Sequence, residues 1–246
     1  MIRQLNQLET LQVTEKSRNE FVTQVDRAAE AAIIDVIRDH YPDHAILAEE
    51  SGASGDNEYQ WIIDPLDGTT NYVHGFPVFS VSIAVAQRGE LQHGVVYDPL
   101  RQEIFTASRG QGAQLDGRRI RVSKRQSLQQ SLIGTGFPYR LNLEHIDRYL
   151  DMLKTVMLET AGVRRPGSAA LDLCYVAAGR IDGFWELGLS KWDIAAGALI
   201  IREAGGRISD FRGSDAYIDT GNVVAGNPKI YAALSRLLAP FTAGIE

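Results

Sequence analysis

Asp64 and Asp67 stand three residues apart in the run Trp61-Ile62-Ile63-Asp64-Pro65-Leu66-Asp67-Gly68-Thr69-Thr70-Asn71. Carboxylates bind hard cations through oxygen. Backbone N–H groups at a helix start bind phosphate. An apolar run that delivers both within one turn predicts a metal-dependent, phosphate-handling site. Pro65 fixes its own φ and holds Asp64 extended. Leu66 offers a carbonyl and Asp67 a second carboxylate. Gly68 lets the chain bend and lets a ligand approach the backbone. Thr69 and Thr70 supply hydroxyls and N–H groups where a helix dipole favours negative charge. An Asp-capped turn with a solvated tip is the plainer alternative, since Asp-Pro and Asp-Gly are common turn dipeptides. The seven-residue run Asp64–Thr70 is much longer than a turn needs.

Two further acidic features matter. Glu49-Glu50-Ser51-Gly52 ends a short apolar segment, and alone it reads as a solvated acidic loop. Asp193 opens the run that ends Glu203-Ala204-Gly205-Gly206. It is either a simple helix N-cap or a cap that also points its carboxylate into a shared cleft. Ala195, Ala196 and Gly197 would let that helix pack close to a neighbour.

The elements that must position these groups follow from periodicity. Residues 24–38 carry an apolar stripe at helical spacing, ended by Tyr41-Pro42-Asp43. Residues 45–48 read as a strand and 52–57 as a flexible polar loop. Strands are expected at 78–86, 94–97 and 103–107, then a hairpin at Asp116-Gly117. Helices are expected at 143–158, 171–178, 193–204 and 228–238, with strands at 181–186 and 222–225. The mixed order lacks strict βαβ alternation and predicts a layered α+β fold. Residues 1–246 read as one domain of two tightly joined lobes, with a boundary near 127–138.

The chain has 246 residues, 44% of them hydrophobic, enough for a sizeable core. A net charge of −6 argues against general attraction to nucleic acid. Positive charge for an anionic substrate would then come from bound divalent cations. The single cysteine, Cys174, lies in an apolar run and reads as buried and structural. The N-terminus lacks the apolar core of a signal peptide, and no segment is long and apolar enough to span a bilayer. A soluble cytoplasmic protein is expected. Arg118, Arg119, Arg121, Lys124 and Arg125 form the one basic run. It reads as a solvated strand face, with a protein or RNA contact as the alternative.

Taken together, Glu49 to Gly52, Trp61 to Asn71, and Trp192-Asp193 through Gly206 resemble the inositol monophosphatase family of metal-dependent phosphatases. The likeness runs from about Val22 to near the C-terminus. Phe21 to Glu30, Arg109 to Ala113 and Gly167 to Leu173 further resemble the bacterial SuhB-type inositol-1-monophosphatases. The family's opening amphipathic helix is represented only by Met1 to Leu11. The loop between Glu49 and Asp64 is short beside the animal members.

The resemblance implies an αβαβα sandwich of the inositol monophosphatase/fructose-1,6-bisphosphatase type. It implies that Glu49, Asp64 and the Leu66 carbonyl hold one Mg2+, that Asp64, Asp67 and Asp193 hold a second, and that a weaker third shares Glu49. Thr69, supported by Asp26, matches the group that activates the attacking water. Gly68 and Thr69 match the phosphate contacts. Asp193 and Glu186 match sugar-hydroxyl contacts, with Ser168 and Arg164 lining the same pocket. A lithium-sensitive homodimer is implied as well. The expected activity is hydrolysis of myo-inositol 1-phosphate or a related sugar phosphate. Fructose 1,6-bisphosphate and 3′-phosphoadenosine 5′-phosphate are alternative substrates. A non-catalytic role as an accessory factor of the transcription machinery is the alternative of a different class.

Overall fold

The computed structural model describes residues 13–17, 20–137 and 145–244. A two-stranded ribbon, β1 (Val13–Ser17) and β2 (Glu20–Thr23), leads into α1 (Gln24–His40). Then come β3 (Ala45–Ala48), β4 (Gly52–Ser54), β5 (Tyr59–Asp67) and the short α2 (Thr69–Val73). A meander follows: β6 (Ser80–Gln87), β7 (Glu90–Asp98), β8 (Glu103–Ser108), β9 (Gly112–Leu115) and β10 (Arg118–Arg119). The second half holds β11 (Leu132–Thr135), α3 (Ile146–Glu159), β12 (Gly162–Arg164), α4 (Ala169–Ala177) and β13 (Gly183–Glu186). It closes with α5 (Lys191–Glu203), β14 (Arg207–Ser209), α6 (Tyr217–Thr220), β15 (Val223–Gly226) and α7 (Pro228–Leu238).

The strands form an eight-stranded sheet, ordered β10-β9-β8-β7-β6-β5-β3-β4, and a five-stranded sheet, ordered β12-β11-β13-β15-β14. Both mix parallel and antiparallel pairs. Side chains alternate between the faces of a strand, and that alternation builds the layers. Ile63 meets Ile37 of α1 on the outer face of the large sheet, while Ile62 turns inward to the core around α4 and α5. In the small sheet Phe184, Val223 and Ala225 face that same central layer. Trp185 and Val224 face Tyr149, Met152 and Val156 of α3 and Ile230 and Leu234 of α7. The order of layers is therefore helix, sheet, helices, sheet, helices, the expected αβαβα sandwich. The central helices touch closely because Gly197 has no side chain: a Cβ there would lie 2.6 Å from the Cβ of Leu173.

Several local expectations need correction. Residues 52–54 pair with β3 as a strand rather than forming a loop. The gap between the strands expected at 78–86 and 94–97 closes into a two-residue hairpin, because Arg88 and Gly89 both take positive φ. The basic run is a strand only at Arg118–Arg119; Arg121, Lys124 and Arg125 lie exposed in the connection to the second sheet. The helix expected from 143 is described from Ile146, and residues 143–144, like Met1 to Leu11, lie outside the described residues. Cys174 is buried, and burial pushes its thiol well up.

Candidate metal and phosphate site

In a regular strand, residues three apart point to opposite faces. Asp64 and Asp67 do not. Asp64 pairs with Ser82 and Asp67 with Ser80, so three residues of β5 span two of β6. The extra residue is a β-bulge at Pro65-Leu66. Pro65 suits it because it has no N–H for the ladder. Both carboxylates thus share a face at the strand end. What the sequence predicts as a tight turn is a bulged strand. The Leu66 N–H donates to Asp64 Oδ1 at 2.9 Å and fixes that side chain. Gly68 takes φ +93, and a Cβ there would lie 3.0 Å from the Val78 carbonyl and 3.1 Å from that of Gly167.

The third carboxylate arrives from α5. Ser190 is the N-cap, and Asp193 stands at the third helical position and accepts the Ser190 N–H at 2.8 Å. Asp193 is therefore the reciprocal half of a capping box, not the cap itself. Carboxylate oxygens of Asp64, Asp67 and Asp193 lie within 4.8 Å of one another, and all three residues are buried. Glu49 follows β3, where its N–H donates to the Ile63 carbonyl at 3.1 Å. Its carboxyl hydrogen-bonds and repels Asp64, although it lies outside that triad. Glu30 of α1, unmarked by sequence reading, accepts the N–H groups of Glu50 and Ser51 at 2.8 and 2.9 Å. It thereby anchors the loop behind Glu49.

Asp67 has its own support. Its Oδ2 accepts the Ser168 hydroxyl at 2.6 Å and the Ala170 N–H at 2.8 Å. Asp26 occupies in α1 the place that Asp193 holds in α5. It completes a capping box with Thr23, accepting the Thr23 N–H at 2.8 Å and hydroxyl at 2.5 Å on Oδ2. Its Oδ1 remains for the Thr69 hydroxyl at 3.1 Å. Thr69 also lies 3.0 Å from the Leu66 carbonyl, which is buried with its residue. α2 has only five residues, so its macrodipole is small. Its first-turn N–H groups lack intrahelical partners all the same.

A solvent-open cleft reaches part of this group; Glu49, Asp64, Leu66 and Asp26 are not among its lining residues. Asp67, Gly68, Thr69, Ser168, Glu186 and Asp193 line it. Arg164 does not. It ends the edge strand β12 and folds back onto the carbonyl of Val163 at 2.9 Å. The next residue, Arg165, lines the cleft instead, with its guanidinium 5.2 Å from the centre of the Phe137 ring. Asp172 and Asn71 also line the cleft, and sequence reading singled out neither for a role. The Asn71 amide donates to the Val78 and Pro166 carbonyls at 2.7 and 2.9 Å, tying α2 to the segment before Ser168.

Burial pushes the Asp64 carboxyl well above the usual carboxylate range, and the charges of Glu49, Asp67 and Asp193 push it further. Burial also raises Asp26, against the hydrogen bonds from Thr23 and Thr69. Acidic side chains packed this closely repel one another unless positive charge enters between them. Three buried carboxylates with an adjacent glutamate and a backbone carbonyl form an all-oxygen donor set. That chemistry suits a hard divalent cation such as Mg2+ rather than a thiophilic metal.

The profile described as the inositol monophosphatase family matches residues 1–241. The Nus factor SuhB of Pseudomonas aeruginosa is 54% identical over 245 residues, covering 98% of this chain and 90% of that protein. The crystal structure of the extragenic suppressor protein suhB from Bartonella henselae superposes with a TM-score of 0.93 at 46% identity, over 96% of this chain and 92% of that one. The Staphylococcus aureus inositol monophosphatase II, in its inositol monophosphate-bound structure, gives 0.79 at 29% identity over 90% and 87%.

Proposed function

The chain belongs to the inositol monophosphatase family, and from that premise we propose that it hydrolyses inositol monophosphates such as myo-inositol 1-phosphate, or related sugar phosphates, with Mg2+. The observation that carries this reading is the buried meeting of Asp64, Asp67 and Asp193 within 4.8 Å, beside the hydrogen-bonded pair Thr69 and Asp26.

We assign Glu49, Asp64 and the Leu66 carbonyl as donors to one Mg2+, Asp64, Asp67 and Asp193 to a second, and Glu49 to a weaker third. Bound Mg2+ supplies positive charge to the attacking and leaving oxygens and acidifies a water. The protein's own groups do the rest. Thr69 gives its hydroxyl hydrogen to Asp26 and so turns oxygen lone pairs towards the cleft. They can take a proton from the attacking water and pass one on to Asp26. Desolvation suits Asp26 to this task, because a raised carboxyl holds a proton more readily near neutral pH. The N–H groups of Gly68 and Thr69 would hold the phosphoryl oxygens on donors already in place. Glu186 and Asp193 would accept leaving-group hydroxyls. Ser168 acts by holding Asp67, and Arg165 takes the wall position expected of Arg164.

The carboxyls of Glu186 and Asp172 on the cleft wall favour a polyol over a second phosphate, and that ranks a monophosphate above fructose 1,6-bisphosphate and 3′-phosphoadenosine 5′-phosphate. The inositol monophosphate bound to the staphylococcal relative supports the same choice. We read residues 1–246 as one catalytic unit of two joined lobes, acting as a lithium-sensitive, cytoplasmic homodimer. Among the described residues no helix is long and apolar enough to cross a membrane. The test is phosphate release from a panel of these esters, with and without Mg2+. Preferential release from myo-inositol 1-phosphate supports the reading; preference for a bisphosphate replaces it.

A second role is favoured by the name Nus factor SuhB carried by a relative 54% identical to this chain, and by the exposed basic residues Arg118 to Arg125. We propose that the chain also associates with the transcription machinery independently of catalysis. Asp67→Asn should abolish turnover and spare that association; a variant that loses both would end the idea of separate roles.

A further inference from the structure

β11 and the residue after it run Gly134-Thr135-Gly136, and both glycines leave bare backbone towards carboxyl groups. A Cβ on Gly136 would lie 1.7 Å from Glu186 Oε1. A Cβ on Gly134 would lie 3.8 Å from Asp172 Oδ1 and 2.8 Å from the Ile181 side chain. The Glu186 carboxyl occupies the space beside Gly136, and Ile181 and Phe184 fill most of that beside Gly134, so Glu186 and Asp172 flank the end of β11 at the cleft. Asp172 sits one turn into α4, is 1% exposed and lines the cleft. Its Oδ1 is buried and has no hydrogen-bond partner among the described residues. A buried acceptor left without a donor is costly, and such atoms in native structures mark places where a ligand or water belongs.

We propose that Asp172 is a specificity-determining residue whose carboxyl turns its unpartnered oxygen to accept a hydrogen bond from a leaving-group hydroxyl, beside the one taken by Glu186. The inference rests on the phosphatase reading above and adds a second acceptor to its cleft wall. The cleft wall then favours a ligand with neighbouring hydroxyls over one with a second phosphate.

The test compares two substrates, myo-inositol 1-phosphate and 4-nitrophenyl phosphate, in the full chain with Mg2+. The second presents the same phosphoryl group but no leaving-group hydroxyl. Asp172→Leu fills the space without an acceptor, and Asp172→Asn keeps a carbonyl acceptor. The expected result for Leu is a KM about tenfold higher for the inositol ester, the loss of about one buried hydrogen bond. KM and kcat for the nitrophenyl ester should stay unchanged. Asn should restore KM for the inositol ester to near the wild-type value. If the Leu variant does not fold, Asp172→Ala is read in the same way.

An equal change for both substrates, no change for either, or an Asn variant as damaged as Leu would overturn the proposal. A wild-type protein that hydrolyses only the nitrophenyl ester would also overturn it. One that hydrolyses neither ester removes the phosphatase reading, and this inference with it.

Discussion

The hydroxyl of Thr69 donates to Asp26 Oδ1 at 3.1 Å, joining the first turns of two helices 43 residues apart in the chain. The second carboxylate oxygen of Asp26 is already taken by Thr23. The pair therefore has one free task, at the edge of the acidic triad. Asp26→Asn keeps the size of the side chain and removes the proton acceptor. We predict a fall in kcat of about 10²-fold or more with KM little changed, read from steady-state kinetics. A rise in KM alone would assign Asp26 to binding.

Ser168 holds Asp67 at 2.6 Å from a buried position. Ser168→Ala keeps the Ala170 N–H on that carboxylate but removes the hydroxyl donor. Partners of metal-binding carboxylates typically contribute about 10–100-fold to metal affinity. We predict that the Mg2+ concentration for half-maximal activity rises by about that factor, while activity at saturating Mg2+ largely returns. A Mg2+ titration of phosphate release checks it.

Gly136→Ala places a methyl group where the Glu186 carboxylate now lies. The glutamate must swing away. We predict that KM for a polyol phosphate rises as it does in Glu186→Ala, and that adding Gly136→Ala to Glu186→Ala costs nothing further. Additive losses in a double-mutant cycle would separate the two residues.

Burial raises the Asp172 carboxyl well above its ordinary value, and the charges of Glu186 and Asp67 raise it further against the pull of Arg165. The folded state then binds this proton more tightly than the unfolded chain. Stability from this group is highest below the ordinary carboxylate value of about 4. It declines as pH climbs from there through the raised value. Asp172→Leu lacks that dependence. The melting temperature of the variant minus that of the wild type, both in chelator, should grow between pH 4 and pH 8. A chain of this size gains about 2–4 °C for each kcal/mol. A difference that stays flat with pH would contradict the assignment.

Much of the site was legible in the sequence because its parts are local. Asp64 and Asp67 declare themselves by spacing, and Asp193 by its place at a helix start, although its part in a capping box with Ser190, like that of Asp26 with Thr23, came only with the structure. The layered α+β order follows from the periodicities, and the αβαβα sandwich from the resemblance alone. What was not legible depends on contacts distant in the chain or on a single step of register. The bulge at Pro65-Leu66 appears only once β6 is paired. Arg164 and Arg165 are chemically alike, and only the end of the edge strand decides which one reaches the cleft. Asp172 lies in the apolar run of α4, where composition suggests core. Glu30 sits on the buried face of α1, and its two N–H partners follow it by 20 and 21 residues. The small glycines of β11 carry no signal until Glu186 and Asp172 are seen against them.

Turnover requires divalent cations held between Asp64, Asp67 and Asp193. Mn2+, which takes the same oxygen donors as Mg2+, can be counted directly by electron paramagnetic resonance as it leaves solution. The wild-type protein should bind at least two ions per chain, displaced by Mg2+, and Asp67→Asn should lose at least one of them. Binding that is absent from the wild type, or unchanged in Asp67→Asn, would contradict the account.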